Sequence, residues 1–187
     1  TVLAISPVDI FRISQAVNLP VFSQHIDPLE VGQTTGFVIP ETVKEAGASG
    51  SLINHSEHSM GLEMIEAAAK RCRYQELTTV VCADSPAVVA QVKEFKPDFI
   101  AYEPPELIGG DISVVEAEPE LISEAVKMCS PTPLLVGAGV HSGRDVQAAL
   151  KLGALGVLVS SDIVLAEDPA SEFRDIAQGF YSNAPQG

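Results

Sequence analysis

Basic residues are scarce in this chain. Eleven Lys and Arg face 25 Asp and Glu over 187 residues, a net charge of -14 with a pI near 4.5. That leaves too few cations to neutralise nucleic-acid phosphates or an anionic bilayer, so neither nucleic acid nor a membrane is expected as a partner. Cysteine is scarce as well. Cys72, Cys82 and Cys129 are odd in number and show no C-x-x-C spacing, which excludes a disulfide framework and a zinc knuckle and fits a reducing cytoplasm. No apolar run approaches the roughly 18 residues of a membrane span, and no basic-then-apolar leader opens the chain. The first residue, Thr1, already stands at the edge of an apolar strand-like run, so a processed or truncated start is expected. No low-complexity tract, sequence-level repeat or long flexible linker divides the chain, and an apolar fraction of 46% is enough to fill one sizeable core.

Short apolar runs recur along the chain. They are Val2 to Ile5, Val21 to Ser23, Ser51 to Ile53, Thr78 to Cys82, Phe99 to Tyr102, Leu134 to Val136 and Gly156 to Val159. None alternates apolar with polar residues, as expected for strands buried on both faces. Amphipathic helical patterns separate them, the clearest being Met64 to Arg73, Pro86 to Phe95, Pro119 to Cys129, Arg144 to Leu152 and Pro169 to Gln178. Several open with a capping residue or an early proline: Ser85-Pro86, Glu118-Pro119, Ser142 and Asp168-Pro169. Alternating β and α elements of this length predict an α/β protein with parallel strands and helices outside, and the pattern fits a TIM (β/α)8 barrel with only seven of the eight βα units present. The rival is a doubly wound open sheet, but no G-x-G-x-x-G follows the first strand. The expected organisation is a single barrel domain over residues 1–180, lacking an N-terminal βα unit, and a disordered tail over 181–187.

In such a barrel the functional groups project from the C-terminal ends of the strands. Glu103 follows the strand Phe99 to Tyr102 and precedes two prolines, which fix φ and hold the preceding residue extended. Gly109 and Gly110 then give the loop the freedom of a closing lid. A Pro-rich turn of solvated acids is the plainer alternative. His55, in Asn54-His55-Ser56-Glu57, follows the strand Ser51 to Ile53. A carboxylate and an imidazole at these places can move a proton to and from carbon while polarising a carbonyl. The other role open to His55 is that of a helix-cap neighbour satisfied by Ser56 or Glu57. Gly137-Ala138-Gly139-Val140-His141-Ser142-Gly143 and Ser160-Ser161 follow the last two strands, where backbone N–H groups can hold a phosphate without arginine; an ordinary tight turn needs glycine for the same steric reason.

Taken together, Asn54-His55-Ser56-Glu57, Glu103-Pro104-Pro105-Glu106-Leu107-Ile108-Gly109, Gly137-Ala138-Gly139 and Ser160-Ser161 resemble triosephosphate isomerase in its short archaeal form. Gln24-His25-Ile26-Asp27-Pro28, Thr35-Gly36 and Val81-Cys82 reinforce the match, which spans nearly the whole chain. The resemblance implies an isomerase of glycolysis and gluconeogenesis that interconverts D-glyceraldehyde 3-phosphate and dihydroxyacetone phosphate through an enediolate, without cofactor or metal. It implies that Glu103 is the base and His55 the neutral electrophile, a division of labour for which this enzyme is the worked case. Ile108 would lie in the lid, with Gly139, Ser160 and Ser161 touching the substrate or its phosphate. Thr35 would sit in a loop reaching a neighbouring subunit, so a homo-oligomer, a dimer or a tetramer, is expected. Three departures accompany the match. The family's first strand carries an asparagine and a lysine, and this chain begins at what matches the second, so as given it is expected to be inactive. The lid reads Gly109-Gly110-Asp111 where the family has Gly-Thr-Gly, and Asp162 stands where a small residue is usual. Asp162 is expected to cap the helix after the last strand rather than face the phosphate. Two other functions remain open: a degenerate, non-catalytic paralogue that keeps the fold, and a metal-dependent TIM-barrel hydrolase using His25, His55 and His141 with Asp27 close by, although the usual H-x-H pair is absent.

Overall fold

A computed structural model describes residues 1–104, 114–117 and 119–181 of the chain. Seven strands stand in the sheet in chain order: β1 Leu3–Ile5, β2 Val21–Ser23, β3 Gly50–Ile53, β4 Thr78–Ala83, β5 Phe99–Tyr102, β6 Leu134–Val136 and β7 Gly156–Val157. The registers are parallel, with Leu3 opposite Val21, Phe22 opposite Gly50, Gly50 opposite Thr78, and Leu135 opposite Gly156. Around them lie α1 Ile10–Ser14, α2 Pro40–Glu45, α3 Leu62–Tyr74, α4 Pro86–Val92, α5 Val114–Ala117, α6 Pro119–Cys129, α7 Gly143–Lys151, α8 Ser161–Val164 and α9 Pro169–Tyr181. None of the described helices is long and apolar enough to cross a membrane.

The chain divides into two compact units, one formed by Thr1–Cys82 with Gln91–Ile100 and the other by Ala83–Ala90 with Ala101–Gly187. In the first, β2 and β3 are buried along their whole length, as their unbroken apolar runs require. Ser23 and Ser51 are the exceptions in composition, and both are satisfied: the Ser23 hydroxyl donates to the His25 carbonyl, and the Ser51 hydroxyl lies within hydrogen-bond reach of the carbonyls of Ser23 and Leu52. Asp98 fixes the entry to β4 by accepting from both the backbone N–H and the hydroxyl of Thr79 at 2.8 and 2.9 Å, while its own N–H donates to that hydroxyl. In the second unit, Ser142 caps α7 by accepting from the Asp145 N–H, and the Asp168 carboxylate accepts from the N–H groups of Ala170 and Ser171 at the start of α9. Both caps follow from short polar side chains that bond the otherwise unpaired donors of a first helical turn.

Several boundaries differ from the sequence expectation. The last strand ends at Val157, two residues early, because Leu158 and Val159 no longer pair as strand although the Leu158 N–H still donates to Val136. The pattern Pro86 to Phe95 is an α-helix only to Val92 and then tightens into a 3-10 turn, Lys93–Phe95, ended by Lys96 in the left-handed region. Helix α9 runs on to Tyr181; residues 182–187, and with them most of the expected tail, lie outside the described residues. The short helices α1, α2 and α5, of four to six residues, are new, because a helix of one turn shows no periodicity to read, whereas the short helix expected after the last strand is present as α8.

All three cysteines are buried, and none is joined in a disulfide. Burial pushes the Cys72 thiol from 9.0 up to about 12, with nearby Arg71 opposing and Asp98 and Glu41 adding to the rise. A raised acid keeps its proton longer in the folded state, so its contribution to stability is present below the unfolded value and declines as pH rises through 9 toward about 12. Thermal melts at a series of alkaline pH values are expected to fall over that window, less so in Cys72→Ala after correction for its lower starting stability.

Candidate active site

Asn54 sets the geometry of the segment after β3. It adopts φ 63°, a left-handed conformation that a short polar side chain tolerates. Its amide then ties both ends of the following turn, donating to the Cys82 carbonyl at 2.9 Å and accepting from the Met60 N–H at 2.7 Å. His55 is the N-cap of the 3-10 turn Ser56–His58, and its Nδ1 accepts the Glu57 backbone N–H at 3.3 Å. The capping role open to His55 from sequence is therefore filled, and it has a chemical consequence. In the neutral form, a ring whose Nδ1 accepts carries its proton on Nε2. The Glu57 carboxylate lies 3.9 Å from Nδ1 with its side chain 89% exposed, too far to hydrogen-bond and too well solvated to compete with the backbone N–H.

Glu103 belongs to the second unit. Its carboxyl-bearing side chain leaves the C-terminal end of β5 into the interior, where the residue is only 3% exposed. The backbone on either side is paired: the Glu103 N–H donates to Ala83 at 2.8 Å, and the Tyr102 carbonyl accepts from Gly137 at 2.9 Å. The side chain lies flat against Gly137, where an added Cβ would stand 2.5 Å from Glu103 Cγ and 2.7 Å from Oε1. Glycine is required at 137 by this close approach. At Gly139 the requirement is conformational, since φ is 58°. Ser160 and Ser161 are exposed at the loop after β7, with the Ser160 carbonyl accepting from Ile163 and Val164 at the start of α8. Ile108, together with Leu107, Gly109, Gly110 and Asp111, lies outside the described residues.

Asp162 does not cap α8, as was expected. Ser160 occupies the N-cap position, and Asp162 Oδ1 instead meets His141 Nδ1 at 2.7 Å, each side chain about 30% exposed. The physical reason is proximity across two loops: the strand order sets β6 beside β7, so residues 21 apart in sequence face one another, and a charge-assisted bond outcompetes a short helix's N–H groups. No signal in the sequence marks that pair. Nor did it mark the packing of Gly137 on Glu103, or the ring contact between His25 and His58, whose centroids stack 3.8 Å apart.

The histidines weighed as metal ligands are engaged otherwise: His25 with Asp27 and His58, His55 with Glu57, His141 with Asp162. Among the described residues, no three His, Cys, Asp or Glu side chains gather as a ligand set.

The comparisons with known proteins agree with one another. A family model described as triosephosphate isomerase matches residues 1–180. Among curated relatives, the triosephosphate isomerase of Methanobacterium bryantii is 45% identical over 172 residues, covering 90% of this chain and 76% of that protein. That of Cenarchaeum symbiosum is 46% identical over 164 residues, with 86% and 74% covered, and that of Methanothermobacter thermautotrophicus 44% over 180, with 93% and 79% covered. In structure, the chain superposes on triosephosphate isomerase from Bartonella henselae with a TM-score of 0.69 at 18% identity, covering 84% of this chain and 78% of that one. That likeness gives the fold, a TIM barrel represented here by seven parallel strands. With the family model matching residues 1–180 and curated relatives 44–46% identical over most of the chain, the chain belongs to the triosephosphate isomerase family.

Proposed function

We propose that this protein interconverts D-glyceraldehyde 3-phosphate and dihydroxyacetone phosphate. The observation that carries the reading is Glu103, a carboxylate held at the C-terminal end of a parallel strand in a setting 3% exposed, where a base acts free of competing water. Glu103 takes the proton from the carbon next to the substrate carbonyl. His55, neutral and carrying its proton on Nε2, donates toward the carbonyl oxygen as negative charge develops there, giving the enediolate. Passage of the hydroxyl proton from one oxygen to the other by way of His55, with return of the first proton to the neighbouring carbon, completes the isomerisation with no net gain or loss of atoms, and no cofactor or metal is needed. Gly139, Ser160 and Ser161 contact the substrate or its phosphate, and Ile108 contributes to binding the substrate. The protein acts as a homo-oligomer in the cytoplasm, and residues 1–180 form one barrel domain.

Isomerase assays of the full chain in both directions, beside His55→Asn, test this. Turnover that falls about a hundredfold or more in His55→Asn supports the assignment. A well-folded full chain that binds inorganic phosphate yet turns over neither triose phosphate is the outcome of a non-catalytic relative and overturns it.

Asp162 bears on the phosphate subsite. Its carboxylate stands next in sequence to Ser160 and Ser161 and bonds His141, so Asp162→Gly is expected to tighten inorganic phosphate about two- to threefold at low ionic strength, with the gain shrinking at 0.15 M salt. Loss of the His141 bond is expected to lower stability by about 0.5 kcal/mol. Titrations at two salt concentrations beside thermal melts read both effects; unchanged affinity at low salt would place Asp162 away from the bound anion.

A further inference from the structure

In the first unit, a chain of side-chain contacts joins the loop after β2 to the turn that begins with His55. Asp27 closes the base of segment 27–38 with two bonds to one residue: its N–H donates to the Val38 carbonyl, and its Oδ2 accepts from the Val38 N–H, both at 2.7 Å. The other carboxylate oxygen lies 3.2 Å from His25 Nε2. Ser23, fully buried at the end of β2, holds the His25 backbone by donating its hydroxyl to the His25 carbonyl at 2.7 Å. The His25 ring is thus fixed from both ends, and it lies stacked on His58, 3.8 Å between centroids and 10° from parallel. His58 ends the same 3-10 turn that His55 caps, and its N–H donates to the His55 carbonyl at 2.8 Å.

We propose that His25, oriented by Asp27, is a positioning residue for His55, acting through the ring stack on His58. This rests on the reading of His55 as the electrophile. A single 3-10 turn has poor hydrogen-bond geometry and little to hold it in place. This one contains no buried residue, so it cannot be fixed by a core of its own. Asn54 ties the backbone at the two ends of the segment, but the direction of the His55 ring depends on the Glu57 N–H that Nδ1 accepts, and that group lies inside the turn. A flat, immobilised ring under His58 keeps the turn wound and Glu57 N–H aimed. Without it, the turn frays, Nδ1 loses its donor and the ring no longer holds its proton solely on Nε2.

The chain contains four histidines, so nitrogen-15 spectra of the imidazoles can be assigned by single substitutions, and the His55 tautomer can be read directly. In His25→Ala, the His55 signals are expected to move from the Nε2–H form toward a mixture, and kcat of the full chain to fall about tenfold with KM within about twofold. His25→Phe keeps a flat ring on His58 and is expected to restore most of both; it also keeps the test open if His25→Ala fails to fold. An unchanged His55 tautomer and unchanged kcat in His25→Ala would overturn the proposal, as would a loss that His25→Phe does not repair. The readings separate cleanly: if His55→Asn abolishes turnover while His25→Ala leaves it intact, only this inference falls, whereas if His55→Asn is itself harmless, the electrophile assignment falls with it.

Discussion

Shortening Glu103 to aspartate in the full chain is expected to lower kcat about a hundredfold or more while KM stays within about twofold. The reason lies in how firmly the backbone is held. The Glu103 N–H is bonded to Ala83, and the preceding carbonyl to Gly137, so the main chain cannot advance to compensate. The carboxylate therefore retracts by one methylene, about 1.5 Å, which is enough to misplace a proton transfer between carbon and oxygen. The proposed phosphate contacts at Gly139, Ser160 and Ser161 are untouched, so binding is expected to be largely preserved. Steady-state kinetics in both directions check the split between kcat and KM, and unchanged turnover would remove Glu103 from the role of base.

A comparable loss is expected from adding one methyl group at Gly137. The new Cβ would stand 2.5 Å from Glu103 Cγ and 2.7 Å from Oε1, closer than nonbonded atoms tolerate, so the side chain must be displaced or the two strand ends must part. Overpacking of this kind costs about 1–3 kcal/mol of stability, and displacing the proposed base by about 1 Å is expected to cost about a hundredfold in kcat. The two effects can be tied to one contact by a cycle. In a Glu103→Ala background the side chain that clashes is gone, so Gly137→Ala is expected to cost little stability there, a non-additivity that thermal melts of the four proteins measure. Equal costs in both backgrounds would mean that Gly137 is required for some reason other than Glu103.

The fold was legible because the strands are buried on both faces. Runs such as Val21–Ser23 and Leu134–Val136 are short, apolar and unalternating, and no other common element leaves that mark between amphipathic helices. The helix starts at Ser142 and Asp168 were legible for a similar reason, since a cap is a bond between neighbours in sequence. The short helices α1, α2 and α5 were not, and the end of β7 at Val157 was not, because pairing depends on the partner strand rather than on the apolar run itself.

The same division holds at the site. Sequence alone determined which residues stand at the ends of the strands: His55 after β3, Glu103 after β5, Gly139 after β6, Ser160 and Ser161 after β7, since strand ends are local features. What those residues touch was decided only by the tertiary structure. Asp162 bonds His141 instead of capping its own helix, Gly137 is glycine because Glu103 lies against it, and His25 stacks on a ring 33 positions away in the chain. Each of these contacts joins loops that parallel strands carry to a common edge, so its partners are set by the order and register of the sheet, and those are properties of the folded chain rather than of any stretch of it.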